Sequence, residues 1–83
     1  MKLLYFAWLR QKIGVESEQV TLPDAVTDVA GLVTWLKSRG DNYANALLND
    51  KVIKVAVNQA YARPNTPLKD SDEVALFPPV TGG

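Results

Sequence analysis

The chain has 83 residues, 47% of them apolar, with nine basic and nine acidic side chains that cancel. That describes one domain near the lower size at which a chain folds unaided, with apolar residues enough for one core. Interspersed charge leaves no basic footprint for nucleic acid. The absence of cysteine and histidine removes disulfides, thiolate nucleophiles, the commonest zinc ligands and the usual general base.

No apolar run approaches the roughly 18 residues of a membrane span. The opening Met1-Lys2-Leu3 leads into a strand pattern rather than a signal peptide, so a cytoplasmic location is expected, with no membrane partner. Residues 2–8 alternate, with Leu3, Tyr5 and Ala7 on one face and Lys2, Leu4, Phe6 and Trp8 on the other. Leu4 and Phe6 are either covered by another element of the domain or form an exposed patch for a partner. Residues 9–14 read as a short helical turn, with Gly14 as its C-terminal stop. Residues 18–22 alternate again and end at Pro23-Asp24, a second strand that pairs with the first across the loop containing Gly14.

One clear helix follows. Thr27 is expected to cap it, Asp28 suits its positive first turn, and Val29, Leu32, Val33 and Leu36 form the buried stripe. Lys37 and Arg39 fall in the last turn and Gly40 closes it. Gly31 inside this helix costs about 1 kcal/mol relative to alanine, which close approach to a sheet would explain. Trp35 borders the stripe as core edge. Residues 41–49 support one or two further helical turns, and residues 51–58 a third strand with Ile53, Val55 and Val57 inward. Asn58-Gln59-Ala60-Tyr61 reads as a turn, in which Tyr61 packs locally or faces outward. Residues 63–67 form a loop, because neither proline suits a central strand. Leu68 is an anchor, Asp70-Ser71-Asp72 turns the chain, and residues 72–77 form the last strand. Val74 and Leu76 point inward from it, leaving Glu73, Ala75 and Phe77 on the outer face. This pattern predicts a small two-layer α+β domain.

Few side chains are candidates for chemistry. Asp70, Asp72 and Glu73 lack the spacing and glycine of a calcium loop, so they read as turn residues and no metal site is expected. Ser17, Ser38 and Ser71 have no histidine to activate them. Lys54 and Lys69 are isolated, and Arg10 and Arg63 are either surface charge or partners for acidic groups on another protein. No Gly-rich phosphate loop is present, so ATP, if used, is bound elsewhere.

The end of the chain is different. Pro78-Pro79 removes two backbone donors and stiffens the exit from the last strand. Gly82-Gly83 carries no side chains to hinder passage through a narrow channel. Residues 78–83 reach roughly 20 Å at about 3.3–3.6 Å per residue. A terminal carboxylate of reference pKa about 3.3–3.7 is a poor electrophile until activated, for example as a mixed anhydride with AMP. The chain reads as a body, residues 1–77, with an extended tail, residues 78–83.

The ending Asp70-Ser71-Asp72-Glu73-Val74-Ala75-Leu76-Phe77-Pro78-Pro79-Val80-Thr81-Gly82-Gly83 closely resembles that of the small, sulfur-carrying subunits of molybdopterin synthase. The opening Leu3-Leu4-Tyr5-Phe6-Ala7 with Arg10, and the central Val55-Ala56-Val57-Asn58-Gln59, resemble the same family. The resemblance implies a ubiquitin-like β-grasp fold, with a mixed sheet, one main helix on one face, and first and last strands side by side at its centre. It also implies a role in molybdenum cofactor biosynthesis, as the non-catalytic small subunit of a heterotetramer. An E1-like, ATP-dependent activating enzyme would adenylate Gly83, and a sulfur donor protein would convert it to a thiocarboxylate. The large synthase subunit would then accept the tail, and the sulfur would pass to cyclic pyranopterin phosphate. On this reading Gly83 reacts and Gly82 gives access, while Phe6, Tyr61, Phe77, Pro78, Pro79, Val80 and Thr81 meet the partner. No cofactor is bound directly. The rival readings are a thiamine-type sulfur carrier, a ubiquitin-like protein modifier, and an interaction module with an inert tail.

Overall fold

The computed structural model describes residues 1–79. Five strands form one mixed sheet: β1 (Lys2–Tyr5), β2 (Ser17–Gln19), β3 (Lys54–Val57), β4 (Ala60–Tyr61) and β5 (Glu73–Phe77). Their spatial order is β2-β1-β5-β3-β4. The β1–β5 pair is parallel and the other pairs are antiparallel. Three helices, α1 (Trp8–Ile13), α2 (Val29–Lys37) and α3 (Asp41–Ala46), bury their apolar stripes with Leu3, Tyr5, Val55, Val74 and Leu76 of the sheet in one core. First and last strands run side by side and the main helix lies on one face only, which is the expected β-grasp arrangement.

Local sequence explains the element ends, and it corrects several expectations. The first strand stops at Tyr5, not Trp8, because Ala7 takes φ 55° and turns the chain into α1. Ala7 is therefore exposed rather than inward, and Leu9 and Ile13, one turn apart, bury the helix. Gly14 ends α1 at φ 100°, its N–H donating to the Arg10 carbonyl at 2.9 Å. The second strand is shorter than residues 18–22 and starts one residue earlier.

The α2 cap is Asp28, not Thr27: its carboxylate accepts the Gly31 N–H at 2.8 Å. Gly31 makes room for that cap rather than for the sheet, since a Cβ there would lie 3.1 Å from Asp28 Oδ1. The Val29 and Ala30 N–H groups, also without partners inside the helix, donate to the carbonyls of Thr66 and Pro64 at 3.1 and 2.9 Å. The loop of residues 63–67 is thus fastened to the start of α2. Gly40 precedes α3 instead of closing α2, which ends at Lys37.

The third strand begins only at Lys54, after a 3₁₀ turn at Asp50–Val52. Asn58 and Gln59 both have positive φ, 51° and 71°, which makes a tight reversal. The chain consequently returns as β4, so Ala60 and Tyr61 lie on an edge strand that the pattern alone did not reveal.

Glu18 ties together the end of the fold beyond β2. One carboxylate oxygen accepts the hydroxyls of Tyr5 and Tyr43 at 2.6 and 2.7 Å, and Arg39 Nη1 lies 3.1 Å from both oxygens. The guanidinium also sits over the rings of Tyr43 and Trp35, 4.8 and 5.1 Å from their centroids. Burial by itself raises the Glu18 carboxyl, but the two tyrosine hydroxyls and the Arg39 charge outweigh it and hold it below its ordinary 4.5. Burial and the Glu18 carboxylate push the Tyr5 phenol up.

A carboxyl depressed in the folded state adds stability above its unfolded pKa and loses it as pH falls through the folded value. Glu18→Gln should therefore destabilise by about 1–3 kcal/mol at neutral pH. The gap to wild type should narrow as pH falls through the folded carboxyl's value, which lies below the ordinary 4.5, as read by urea unfolding at a series of pH values.

Candidate functional site

The sheet face opposite the helices carries no covering element among the described residues. Register places Ser17, Leu4, Ala75, Ala56 and Tyr61 in one row across all five strands. The small side chains of Ala75 and Ala56 make the middle of this row shallow. Tyr61, 80% exposed, leans across Ala56 toward Phe77, their ring centroids 6.0 Å apart.

The next row contains Phe77 opposite Lys54, with Phe6 following the β1–β5 register. The Phe6 N–H donates to the Leu76 carbonyl at 3.2 Å, which extends the parallel ladder one residue past Tyr5. Phe6 is 47% exposed and Phe77 half-buried. Of the open alternatives for Phe6 and Tyr61, outward exposure is the one observed. The structure thus brings Phe6, Tyr61 and Phe77 to one end of one face, at the end of β5 where the chain leaves the sheet. Pro78 and Pro79 continue from that point, and Val80, Thr81, Gly82 and Gly83 lie outside the described residues.

The acidic turn before β5 is structural. Asp70 accepts the Leu22 N–H at 2.6 Å, and Asp72 accepts the Lys69 N–H at 2.8 Å and the Asn58 amide at 3.0 Å. These donors hold both carboxyls below the usual range. Asn58 in turn accepts the Glu73 N–H at 3.0 Å, so the turn sets where β5 starts. No cluster of three or more acidic groups among the described residues is placed to hold a metal ion. Arg10 stands 3.9 Å from Glu16, and Arg63 has no ion-pair partner among the described residues.

Among the described residues, nothing on this face is arranged for acid–base or nucleophilic chemistry. Its apolar floor, aromatic end and charged flank of Lys2, Glu73 and Lys54 are the composition of a docking surface.

The ThiS family pattern matches residues 3–83. The chain belongs to the ThiS family. The molybdopterin synthase sulfur carrier subunit of Escherichia coli is 41% identical over 83 residues, spanning 100% of this chain and 99% of that one. A Pyrococcus furiosus structure, provisionally assigned as molybdopterin converting factor subunit 1, superposes with a TM-score of 0.77 at 33% identity, covering 95% of each chain. A complex of subunits 1 and 2 of the Helicobacter pylori molybdopterin-converting factor contains a chain that matches at TM-score 0.62 and 27% identity. That match covers 99% of this chain and 96% of that one.

Sequence reasoning put Leu4, Phe6, Ala75 and Phe77 on the face away from the core but did not show which of them lie side by side. Leu4, Ala75 and Ala56 become one row only through the register, and no local pattern encodes a pairing between residues some seventy positions apart. The turn that delivers Phe6 has its own cost, because alanine at φ 55° and ψ −133° occupies a region open mainly to glycine. Ala7→Gly should relieve about 1 kcal/mol or more, raising the denaturant midpoint without changing the slope of unfolding.

Proposed function

We propose that this chain is the sulfur carrier of a molybdopterin synthase, delivering sulfur on Gly83 to the active site of a large subunit. The observation that carries the reading is the placement of the open aromatic face at the root of the Pro78-Pro79 exit, on a chain alike throughout to the Escherichia coli carrier. The converting-factor complex of Helicobacter pylori supports a large subunit as the partner.

In this mechanism a carboxylate oxygen of Gly83 attacks the α-phosphorus of ATP on a separate E1-like activating enzyme, and pyrophosphate leaves. A sulfide-level donor then displaces AMP from the acyl carbon and leaves a thiocarboxylate. That sulfur is nucleophilic at neutral pH and needs no base from this chain. The large subunit supplies the acid–base groups for attack on cyclic pyranopterin phosphate, and water regenerates the Gly83 carboxylate. Phe6, Tyr61 and Phe77 dock the body, while Pro78, Pro79, Val80 and Thr81 thread the tail and Gly82 keeps it slim.

The test is a reconstituted synthase with a purified large subunit and thiocarboxylated chain. Phe6→Ala and Tyr61→Ala should each weaken binding about tenfold, near 1.4 kcal/mol. Removing the exposed Tyr61 side chain should leave folding stability within about 0.5 kcal/mol. Deleting Gly82 and Gly83 should abolish sulfur transfer, and transfer that survives that deletion contradicts the carrier reading.

A further inference from the structure

The turn after β1 takes the chain away from its own alternating pattern. Alternation would carry Trp8 along the outer face of the strand, but Ala7 at φ 55° and ψ −133° diverts the chain into α1. That backbone region is open mainly to glycine, so the turn is strained and is held by what surrounds it. On one side the Phe6 N–H is bound to the Leu76 carbonyl at 3.2 Å. On the other, Leu9 and Ile13 bury the inward side of α1.

The diversion leaves Trp8 38% exposed. Trp8 and Lys12, each one position before a buried residue, share a flank of α1. The Lys12 ammonium lies 5.6 Å from the centroid of the Trp8 ring. The sheet fixes where this ring stands. Because β1 and β5 are parallel, both chains leave the sheet at the same end. Phe6 is level with Phe77 there, and Pro78 follows Phe77 directly. Trp8 is two residues past Phe6, so their Cα atoms are at most about 7.6 Å apart. An exposed indole thus stands beside the exit of the tail, on a helix rather than on the sheet.

We infer that Trp8 is a further docking residue, an anchor on α1 that enters an apolar socket of the large synthase subunit beside the mouth that receives the tail. This deepens the carrier reading above and rests on it. Continuity with the aromatic face names the occupant, since a partner that covers Phe6 and Phe77 at the exit also reaches the ring two residues on. Tryptophan is among the residues that carry most binding energy when buried at an interface. Covering the ring also removes water from its contact with the Lys12 ammonium, which strengthens that attraction. The strained turn then has a use, because it sets Trp8 at the rim on a helix anchored by Leu9 and Ile13.

Fluorine NMR of the full chain carrying fluorotryptophan tests this, with the purified, unlabelled large subunit as the added partner. The chain has two tryptophans, and a Trp35→Phe variant assigns the Trp8 resonance. On binding, the Trp8 resonance should move and lose its shift between light and heavy water, while that of Trp35 stays in place. Trp8→Ala should weaken binding about tenfold, and Trp8→Phe should restore most of the affinity. A Trp8 resonance that stays solvent-sensitive in the complex overturns the inference, whether or not Trp8→Ala folds. A shift that grows with chain concentration in the absence of the large subunit also overturns it, by assigning the ring to a second copy. An unmoved Trp8 resonance with binding that still depends on Phe6 contradicts the Trp8 anchor alone. A wild-type chain that does not bind the large subunit contradicts the carrier reading, and the anchor with it.

Discussion

The parallel pairing of β1 with β5 is the constraint on which the rest depends. Its register, Leu3 with Val74 and Tyr5 with Leu76, puts four fully buried side chains into the core beneath the helices. Because strand side chains alternate, the same register places Leu4 beside Ala75 and brings Phe6 level with Phe77 on the other face. A slip of one residue would exchange the two sets, burying Phe77 and exposing Leu76. The core and the open aromatic face are two readings of one ladder, and the chain leaves the sheet at the end of it.

Two polar devices hold this ladder in register from opposite ends. At the start of β5, Asn58 and Asp72 tie the β3–β4 reversal to the acidic turn, so β5 enters the sheet at one position. On the far side, Glu18 gathers Tyr5, Tyr43 and Arg39, joining β1 and β2 to the ends of α2 and α3. Both use ionised carboxylates that accept hydrogen bonds from distant parts of the chain. A domain this small has little apolar area to spare, and charge-assisted hydrogen bonds supplement what its core provides.

Much of this was legible in the sequence because the signals are local. The period of Val29, Leu32 and Leu36, the stop at Gly14 and the alternation of Val74 and Leu76 each report on neighbours in the chain. The inward residues of β1 and β5 followed from the same rule. What was not legible depended on distant partners. The Asp28 cap displaced Thr27 because the Thr27 carbonyl takes the Leu68 N–H at 3.0 Å, which fixes where α2 begins. The strand at Ala60 and Tyr61 needed β3 as its template. Ala7 looked like a core residue by alternation, since nothing in an alanine announces a positive φ. The sulfur-carrier reading rested mainly on the resemblance of the ending to a family, because composition offered few side chains for chemistry and no local motif pointed further.

The proposed carrier function requires that other proteins activate Gly83. Intact mass spectrometry of the chain incubated with ATP, an E1-like activating enzyme and a sulfide source tests it most directly. The account predicts a mass gain equal to exchange of one oxygen for sulfur, localised to Gly83 in the C-terminal fragment. An unchanged mass, with the same enzyme loading a known carrier in parallel, would contradict it.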